Sequence, residues 1–435
     1  MRKHRILYFV DTPVAHVDFD ENGPISYELV EHNESYAPSI GPNSGLEGFK
    51  EWLEQRIPPN DRPHMSEVLD RYGIASTLAL PSVCHNNSLS DMYWFTDEEE
   101  LRILPMGVTG LRADDYWMYI DFCRKGRWSC SGQAMFRDNM KYFDDLNCPD
   151  FATSGSAPKT WVPYLGKIYL LKEDVSGGFG AFKEVAAAAI AESMGVKCPK
   201  TRFSTARGKM SVVSEHVLFY RNLPCSRPML LTSWQICSPL EIGYTSVYKM
   251  RPEELDIDKF YSAINRMLVF DYIIANVRSR KEIGYEVDGY DFDRKWYGYS
   301  AVYGNSHAFG TEENGYTDKG LVSPVTHKTL EETMLASVGK SGLFDIDCIE
   351  INAKINRIAD EMGFYSERRK MIIDETMKRA YRVKKELNEH PRECKLEYKT
   401  IAFGGMEYDI DRSAHGTLLS EPLYERNVRE NIDVI

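Results

Sequence analysis

The chain has 435 residues, of which 43% are hydrophobic and 27% are charged, a composition typical of globular proteins and not of disordered or fibrous ones. This length predicts two or three packed domains. A net charge of −12 argues against a broad basic surface that wraps nucleic acid, although a local basic patch remains compatible with it.

The first predicted element is a β-strand at residues 6–10, which follows a short basic start. Its apolar stretch is too short for a signal peptide or a membrane span, so we expect a cytoplasmic protein without membrane contact. The nine cysteines form neither a Cys-x-x-Cys pair nor a spacing with histidine typical of zinc sites, which predicts reduced thiols and no metal centre.

Residues 6–30 alternate apolar and polar positions around a turn at residues 21–23, a pattern that predicts paired strands. Two short amphipathic helices are predicted next, one from Leu46 and one from Met65 that ends before Gly73. Residues 1–100 are therefore predicted to form a small α+β module. Residues 101–150 show no clean period and are interpreted as a connecting segment.

A sharper pattern begins after residue 150. A buried strand is predicted at residues 168–171, an alanine-rich helix from Phe182 to Met194 closed by Gly195, and further strands near residues 201–203 and 211–213. We assign residues 151–225 to this strand-rich unit.

Residues 226–390 are predicted to be mostly helical. One helix ends near Asn276, another follows the spacing of Ile351, Ile355, Ile358 and Met362, and a third runs from about Glu367 toward Leu387. The polar tail at residues 391–435 has no assigned role. Periodicity alone predicts an α+β protein with more than one domain.

A loop of small residues at 153–159 precedes the strand at 168–171 and contains Gly155, Ser156 and Lys159. Such loops let backbone N–H groups approach phosphate oxygens, and a lysine adds a positive charge. A solvated turn is the alternative, because the loop matches neither the P-loop spacing nor a GxGxxG fingerprint.

Lys172 closes the apolar strand and Glu184 lies near the start of the next helix. A strand lysine paired with a helix glutamate is how kinases direct an ammonium group to the α- and β-phosphates of ATP. The simpler alternative is a surface lysine with a glutamate favoured by the helix dipole. Residues 212–217 then form a strand that leads into a hinge-like connection, with Glu215 and Val217 as candidates for contact with an adenine ring.

In their order and spacing these features resemble the HipA-like serine/threonine kinases of bacterial toxin–antitoxin systems, in the variant common in Firmicutes and their mobile elements. The resemblance covers roughly residues 6–390 and includes the phrase Leu-Ser-x-x-Tyr-Trp at residues 89–94 and the stretch 271–276, which is similar to the opening of the catalytic loop. It implies a two-lobed, protein-kinase-like fold with an N-terminal α+β module and a helical C-terminal lobe. It also implies that Asn276 belongs to the nucleotide site.

Two positions depart from the family pattern. Arg278 stands where the resemblance implies the catalytic aspartate, and Gly304 stands where it implies the metal-binding aspartate. Phosphoryl transfer depends on positioning and on charge neutralisation by Mg²⁺, so the loss of both carboxylates predicts a failed kinase cycle. Arg278 would either bind a nucleotide without Mg²⁺ or close the cleft with an ion pair.

Displaced carboxylates are the alternative source of activity. Asp288, Asp291 and Asp293 lie downstream and are candidates, although an exposed acidic turn between strands is the stronger explanation for them. His307 is a candidate base of the same kind, with a solvated loop histidine as the alternative.

The leading hypothesis is a HipA-like pseudokinase with a binding or regulatory role, in a mobile genetic element or a toxin–antitoxin system. No cofactor is assigned, and ATP bound without Mg²⁺ is the one candidate. The expected partner is another protein of the antitoxin, repressor or recombinase type. The first alternative is an active enzyme that uses the relocated carboxylates, either a HipA-like kinase or another nucleotidyl or phosphoryl transferase. The second alternative is a regulator of a recombinase or of transcription.

Overall fold

The computed structural model confirms the predicted α+β class, with antiparallel sheets and separate groups of helices. It describes residues 2–9, 12–38, 45–91, 93–98, 134–136, 138–143, 146, 149–164, 167–206, 208–216, 228–232, 257–277, 284–288, 296–299, 302–323, 326–341, 344–363, 367–389, 402–403 and 406–407.

The N-terminal sheet contains four antiparallel strands in the order β3-β2-β1-β4. Their bounds are β1 Lys3–Phe9, β2 Thr12–Phe19, β3 Pro24–Leu29 and β4 Tyr93–Thr96. The predicted turn is present, and the Asp20 carboxylate accepts the backbone N–H groups of Asn22 at 2.7 Å and Gly23 at 3.1 Å. Gly23 has a φ of 144°, a conformation that side chains rarely tolerate, so a glycine is needed here.

Two α-helices follow this hairpin, α1 at Gly45–Glu54 and α2 at Met65–Tyr72, as predicted. Gly73 ends α2 in the left-handed conformation with a φ of 64°. Short 3-10 helices occupy Glu34–Tyr36 and Thr77–Ser82.

A buried ion pair links the turn after α1 to the segment before β4. Nε of Arg56 lies 2.8 Å from the carboxylate of Asp91, and both side chains are buried. The same guanidinium lies 4.6 Å from the centroid of the Trp52 ring. Asp91, in the polar stretch before β4, therefore binds a buried cation inside the N-terminal module.

The second four-stranded sheet has the order β5-β6-β8-β7 and is also antiparallel. It consists of β5 Lys159–Tyr164, β6 Lys167–Glu173, β7 Thr201–Ala206 and β8 Lys209–Glu215. Helix α3, at Phe179–Ser193, connects β6 to β7. The strands near residues 168, 201 and 211 and the alanine-rich helix are confirmed, but α3 begins three residues earlier than predicted because Gly178 turns the chain before it.

The second half of the chain is mainly helical in its described part, as predicted. It contains α4 Ile257–Ile273, α5 Leu330–Val338, α6 Cys348–Glu361 and α7 Glu367–Glu389. A small sheet of order β11-β10-β9 is added, formed by β9 Pro228–Thr232, β10 Gly284–Asp288 and β11 Trp296–Tyr299. The remaining elements are a hairpin of β12 Ala402–Phe403 and β13 Met406–Glu407 and 3-10 helices at Met140–Tyr142, Pro149–Phe151 and Asn305–His307.

One apolar cluster extends through most of the described chain. It includes Phe19 and Trp52 of the N-terminal module, Phe182 of α3, Phe270 of α4 and Ile355 of α6, all of which are completely buried. A second cluster joins α2 to the described end of the connecting segment through residues such as Met65 and Phe143. The first cluster crosses three of the predicted units, whose boundaries stay a prediction.

Among the residues that the structure describes, no helix is both long and apolar enough to cross a bilayer.

Candidate functional site

The centre of the candidate site is an ion pair between strand β6 and helix α3. The Nζ atom of Lys172 lies 2.9 Å from Oε1 of Glu184, and their side chains are 26% and 11% exposed. Lys172 lies near the end of β6, and Glu184 lies in the second turn of α3, so the strand, the connecting turn and the helix place the two groups face to face. The lysine and glutamate that the sequence singled out are therefore brought together.

The second carboxylate oxygen of Glu184 is bound to a third segment. It accepts the backbone N–H of Asn305 at 2.9 Å, and Asn305 is 2% exposed. Gly304 immediately precedes this amide and has a φ of 73°. The position that the resemblance assigns to a metal-binding aspartate therefore lies next to the Lys172–Glu184 pair, and the residue there carries no side chain.

Lys159 lies directly opposite Lys172 in the register of β5 and β6. Opposed residues of an antiparallel pair project to the same face, and like charges placed there destabilise the sheet unless an anion or a polar partner compensates them. Glu184 compensates Lys172, and Lys159 donates a hydrogen bond to the carbonyl of Ser154. Two ammonium groups thus lie on one face of this sheet.

Gly155 and Ser156 lie in an exposed loop next to Lys159. A Cβ atom built on Gly155 would lie 3.0 Å from Nζ of Lys159. The carbonyl of Gly155 accepts a hydrogen bond from Nε of Arg62 at 3.0 Å. Sequence reasoning missed Arg62, because a lone arginine in a polar stretch 93 residues before its partner has no local signature.

The predicted hinge region, residues 212–217, lies partly outside the described residues. Glu215 ends β8, and its backbone N–H donates to the carbonyl of Lys200 at 3.0 Å, whereas Val217 lies outside the described residues. His216 between them is 3% exposed and its ring centroid lies 4.9 Å from that of Trp161. Burial lowers the pKa of His216 to about 4, so this imidazole is neutral at physiological pH.

Asn276 is 1% exposed and bound to the end of α4. Its side-chain amide donates to Oδ1 of Asp271 at 3.1 Å, and its backbone N–H donates to the Asp271 carbonyl at 2.8 Å. In this arrangement the side chain stabilises the turn after the helix. A role for Asn276 in nucleotide binding stays a prediction.

Arg379 of α7 also binds the end of α4. Nε of Arg379 donates to the Ile273 carbonyl at 2.8 Å, and Nη1 donates to the Tyr316 carbonyl at 3.0 Å. Arg379 is 2% exposed, and burial lowers the pKa of its guanidinium.

Lys183, which precedes Glu184, is a buried cation that the sequence did not indicate. Its Nζ atom lies 3.3 Å from the Gly310 carbonyl and 4.4 Å from the centroid of the Phe179 ring. Burial, with a smaller repulsion from Arg368, lowers the pKa of Lys183 to about 8. This lysine joins α3 to the segment that follows Gly304.

The other predicted residues lie away from this pair or outside the described residues. Arg278, Asp291 and Asp293 are outside the described residues, and Asp288 ends β10 opposite Pro228. His307 is exposed in the 3-10 helix after Gly304. Within the described ranges, no group of three or more histidine, cysteine, aspartate or glutamate side chains is arranged to hold a metal ion.

No protein-family model and no curated protein sequence matches the chain. Among solved structures, it is similar to the Helicobacter pylori proinflammatory kinase CtkA, with 14% identity and a TM-score of 0.37 over 52% of this chain and 94% of the kinase. It is also similar to a chain in the Shewanella oneidensis MR-1 toxin–antitoxin complex of HipA, HipB and operator DNA, with 13% identity and a TM-score of 0.41 over 89% of this chain and 96% of that one.

Proposed function

We propose that the chain is a HipA-like pseudokinase, which keeps the nucleotide-facing framework of a kinase but lacks phosphoryl transfer and acts by binding another protein. The observation that supports this proposal best is the junction at Glu184, whose carboxylate binds Lys172 through one oxygen and the Asn305 amide through the other. In active kinases a strand lysine and a helix glutamate are paired in this way. The neighbouring Gly304 offers no carboxylate for Mg²⁺.

The chemistry follows from what is retained and what is missing. Lys172 and Lys159 project from one face of the sheet and supply two positive charges to an anion beside them. Without the metal-binding carboxylate, Mg²⁺ has no protein anchor at Gly304, and with Arg278 in place of the catalytic aspartate no base accepts the proton of a hydroxyl substrate at that position. The arrangement favours metal-independent ATP binding without turnover.

Binding is tested by thermal-shift titration of the purified chain with ATP, with and without Mg²⁺. A ligand that binds only the folded state raises stability by about 2.7 kcal/mol at a hundredfold excess over Kd. We expect a shift of similar size with and without Mg²⁺, and its loss in Lys172→Met. Lys378→Met is the matched lysine control, because this side chain is 70% exposed on α7 and should not affect the shift.

Turnover is tested with labelled ATP and a range of divalent ions. We expect no phosphate on the chain or on added protein substrates. Autophosphorylation that disappears in Lys172→Met would contradict the pseudokinase proposal and favour an active kinase. If alanine at Asp288, Asp291 and Asp293 also abolished that activity, the relocated carboxylates would be identified as its source.

The partner is tested by affinity capture from the source cells with the full chain as bait. We expect a specific protein of the antitoxin, repressor or recombinase type. The net charge of −12 favours contact with a protein over direct contact with nucleic acid. Capture that depends entirely on nucleic acid, and is lost on nuclease treatment, would contradict a protein partner.

A further inference from the structure

Arg62 is a buried arginine in the segment between α1 and α2, and it binds the candidate phosphate loop from the side of the N-terminal module. It is 5% exposed. Nε donates to the Gly155 carbonyl at 3.0 Å, and Nη2 donates to the same carbonyl at 2.6 Å and to the Ser154 carbonyl at 3.1 Å. Nη2 also donates to the Thr153 carbonyl. One guanidinium therefore binds the carbonyls of three consecutive residues.

Further contacts fix the base of the loop. Nη1 of Arg62 donates to Oγ1 of Thr153 at 3.0 Å, and this hydroxyl donates to the Asp150 carbonyl at 2.7 Å. The Asp150 carboxylate accepts the backbone N–H of Trp161 at 2.7 Å, in strand β5. The loop is consequently tied at both ends, to the guanidinium and to the sheet that carries Lys159 and Lys172.

The backbone amides of residues 154–157 are the second feature of this loop. Within the described part of the chain, the N–H groups of residues 154–157 donate to no protein acceptor, and residues 154–156 are exposed. Gly155 has a φ of 86°, which lets the chain turn sharply between its neighbours. Consecutive amides in turn conformations form concave sites for anions.

We propose that Arg62 is a positioning residue for phosphate binding, because it binds the carbonyls of residues 153–155 and so leaves the loop amides open beside Lys159 for the phosphates of a nucleotide. This inference rests on the proposed nucleotide site and extends it to the N-terminal module. Arg62 itself does not touch the phosphates. Its effect is to order the loop before the ligand arrives, which reduces the entropy lost on binding.

Arg62 keeps its charge under the conditions of such binding. Burial lowers the pKa of Arg62 to about 10, and the nearby Asp150 and Asp61 oppose this effect. The guanidinium is therefore protonated at neutral pH, and its hydrogen bonds to the three carbonyls are charge-assisted. A lysine has the same charge, but its ammonium group lacks the planar array of N–H donors by which the guanidinium binds three carbonyls.

The test compares ATP, inorganic tripolyphosphate and adenosine as ligands of the full chain by isothermal titration. In Arg62→Met we expect affinity for ATP and tripolyphosphate to fall about tenfold or more, whereas affinity for adenosine stays within about twofold. Arg62→Lys should give an intermediate loss. Arg71→Met is the matched control, because Arg71 binds a single carbonyl, that of Phe143, in the same region, and its replacement should leave all three affinities unchanged.

An equal loss for adenosine and ATP would overturn the inference, because it would indicate general damage to the fold. Unchanged affinity for ATP in Arg62→Met would overturn it as well. If the unaltered chain binds no nucleotide, the proposed nucleotide site fails and tripolyphosphate alone decides the inference. Arg62-dependent binding of tripolyphosphate would support it, and its absence would refute it. If Arg62→Met does not fold, the comparison of Arg62→Lys with the unaltered chain decides by the same criteria.

Discussion

The Lys172–Glu184 pair allows a quantitative prediction, since both side chains are largely enclosed but reach solvent at one edge. The proposed variants are Lys172→Met, which keeps the length of the side chain, and Glu184→Gln, which keeps an oxygen for the Asn305 amide. A double-mutant cycle of the two isolates the interaction between them and cancels effects on the rest of the fold.

The coupling free energy between Lys172 and Glu184 lies between two limits. Exposed ion pairs contribute about 0.2 to 1 kcal/mol, and breaking a fully buried pair costs about 3 to 5 kcal/mol. The side chains are 26% and 11% exposed at a separation of 2.9 Å, so we expect a coupling free energy of about 1 to 2 kcal/mol. Glu184→Ala should be less stable than Glu184→Gln by a further amount of about 1 to 2 kcal/mol, because it also leaves the buried Asn305 N–H without its acceptor.

The assay is urea unfolding of the four proteins of the cycle, followed by tryptophan fluorescence and far-ultraviolet circular dichroism. The control is the pair Lys378–Glu375 on α7, whose lysine side chain is 70% exposed, and its coupling should stay below about 0.5 kcal/mol. A Lys172–Glu184 coupling no larger than that of the control would refute the reasoning. It would mean that the Lys172–Glu184 pair contributes no more to stability than an exposed surface contact.

Two further predictions concern the frame around the site. Arg379→Met should lower the free energy of unfolding by about 2 to 4 kcal/mol, because two buried carbonyls outside α7 lose their donor. The control Arg357→Met on α6, where the side chain is 68% exposed, should cost less than about 0.5 kcal/mol. Similar urea midpoints for the two variants would contradict this prediction. The His64 ring lies 2.7 Å from a carboxylate oxygen of Asp138 and 2.9 Å from one of Glu67. Burial lowers the pKa of His64, but the two hydrogen bonds outweigh burial and raise this pKa above 6.5. The stability that protonated His64 adds is therefore fully present below pH 6.5 and is lost as the pH rises through the folded-state pKa. The difference in unfolding free energy between the unaltered chain and His64→Gln should consequently shrink with rising pH. A difference that grows with pH would refute this prediction.

Local patterns predicted much of the fold. The alanine-rich helix, the strand that ends near Lys172 and the helix end at Gly73 were all predicted from residues close in sequence. The pairing of Lys172 with Glu184 was also within reach, because only 12 residues separate them and a strand, a turn and a helix give few ways to arrange them.

Contacts between distant segments were not predictable in the same way. Arg62 binds carbonyls 91 to 93 residues away, and no periodicity or turn motif near Arg62 signals that choice. The small-residue loop suggested open amides, but the sequence did not show which cation would bind its carbonyls. For Asn276 the sequence suggested a ligand contact, which stays a prediction, and it did not indicate the hydrogen bond of this side chain to Asp271.

The apolar cluster that passes from the N-terminal sheet through α3 and α4 to α6 has a consequence for how this protein can change over time. A segment that shares its interior with the rest of the chain cannot be exchanged or cut away without exposing large aromatic surfaces such as Trp52 and Phe270 to water. Exchange of such a piece with another gene is expected to leave apolar surface exposed and to favour aggregation. The molecule is therefore expected to be inherited whole and to diverge by substitution at its surface.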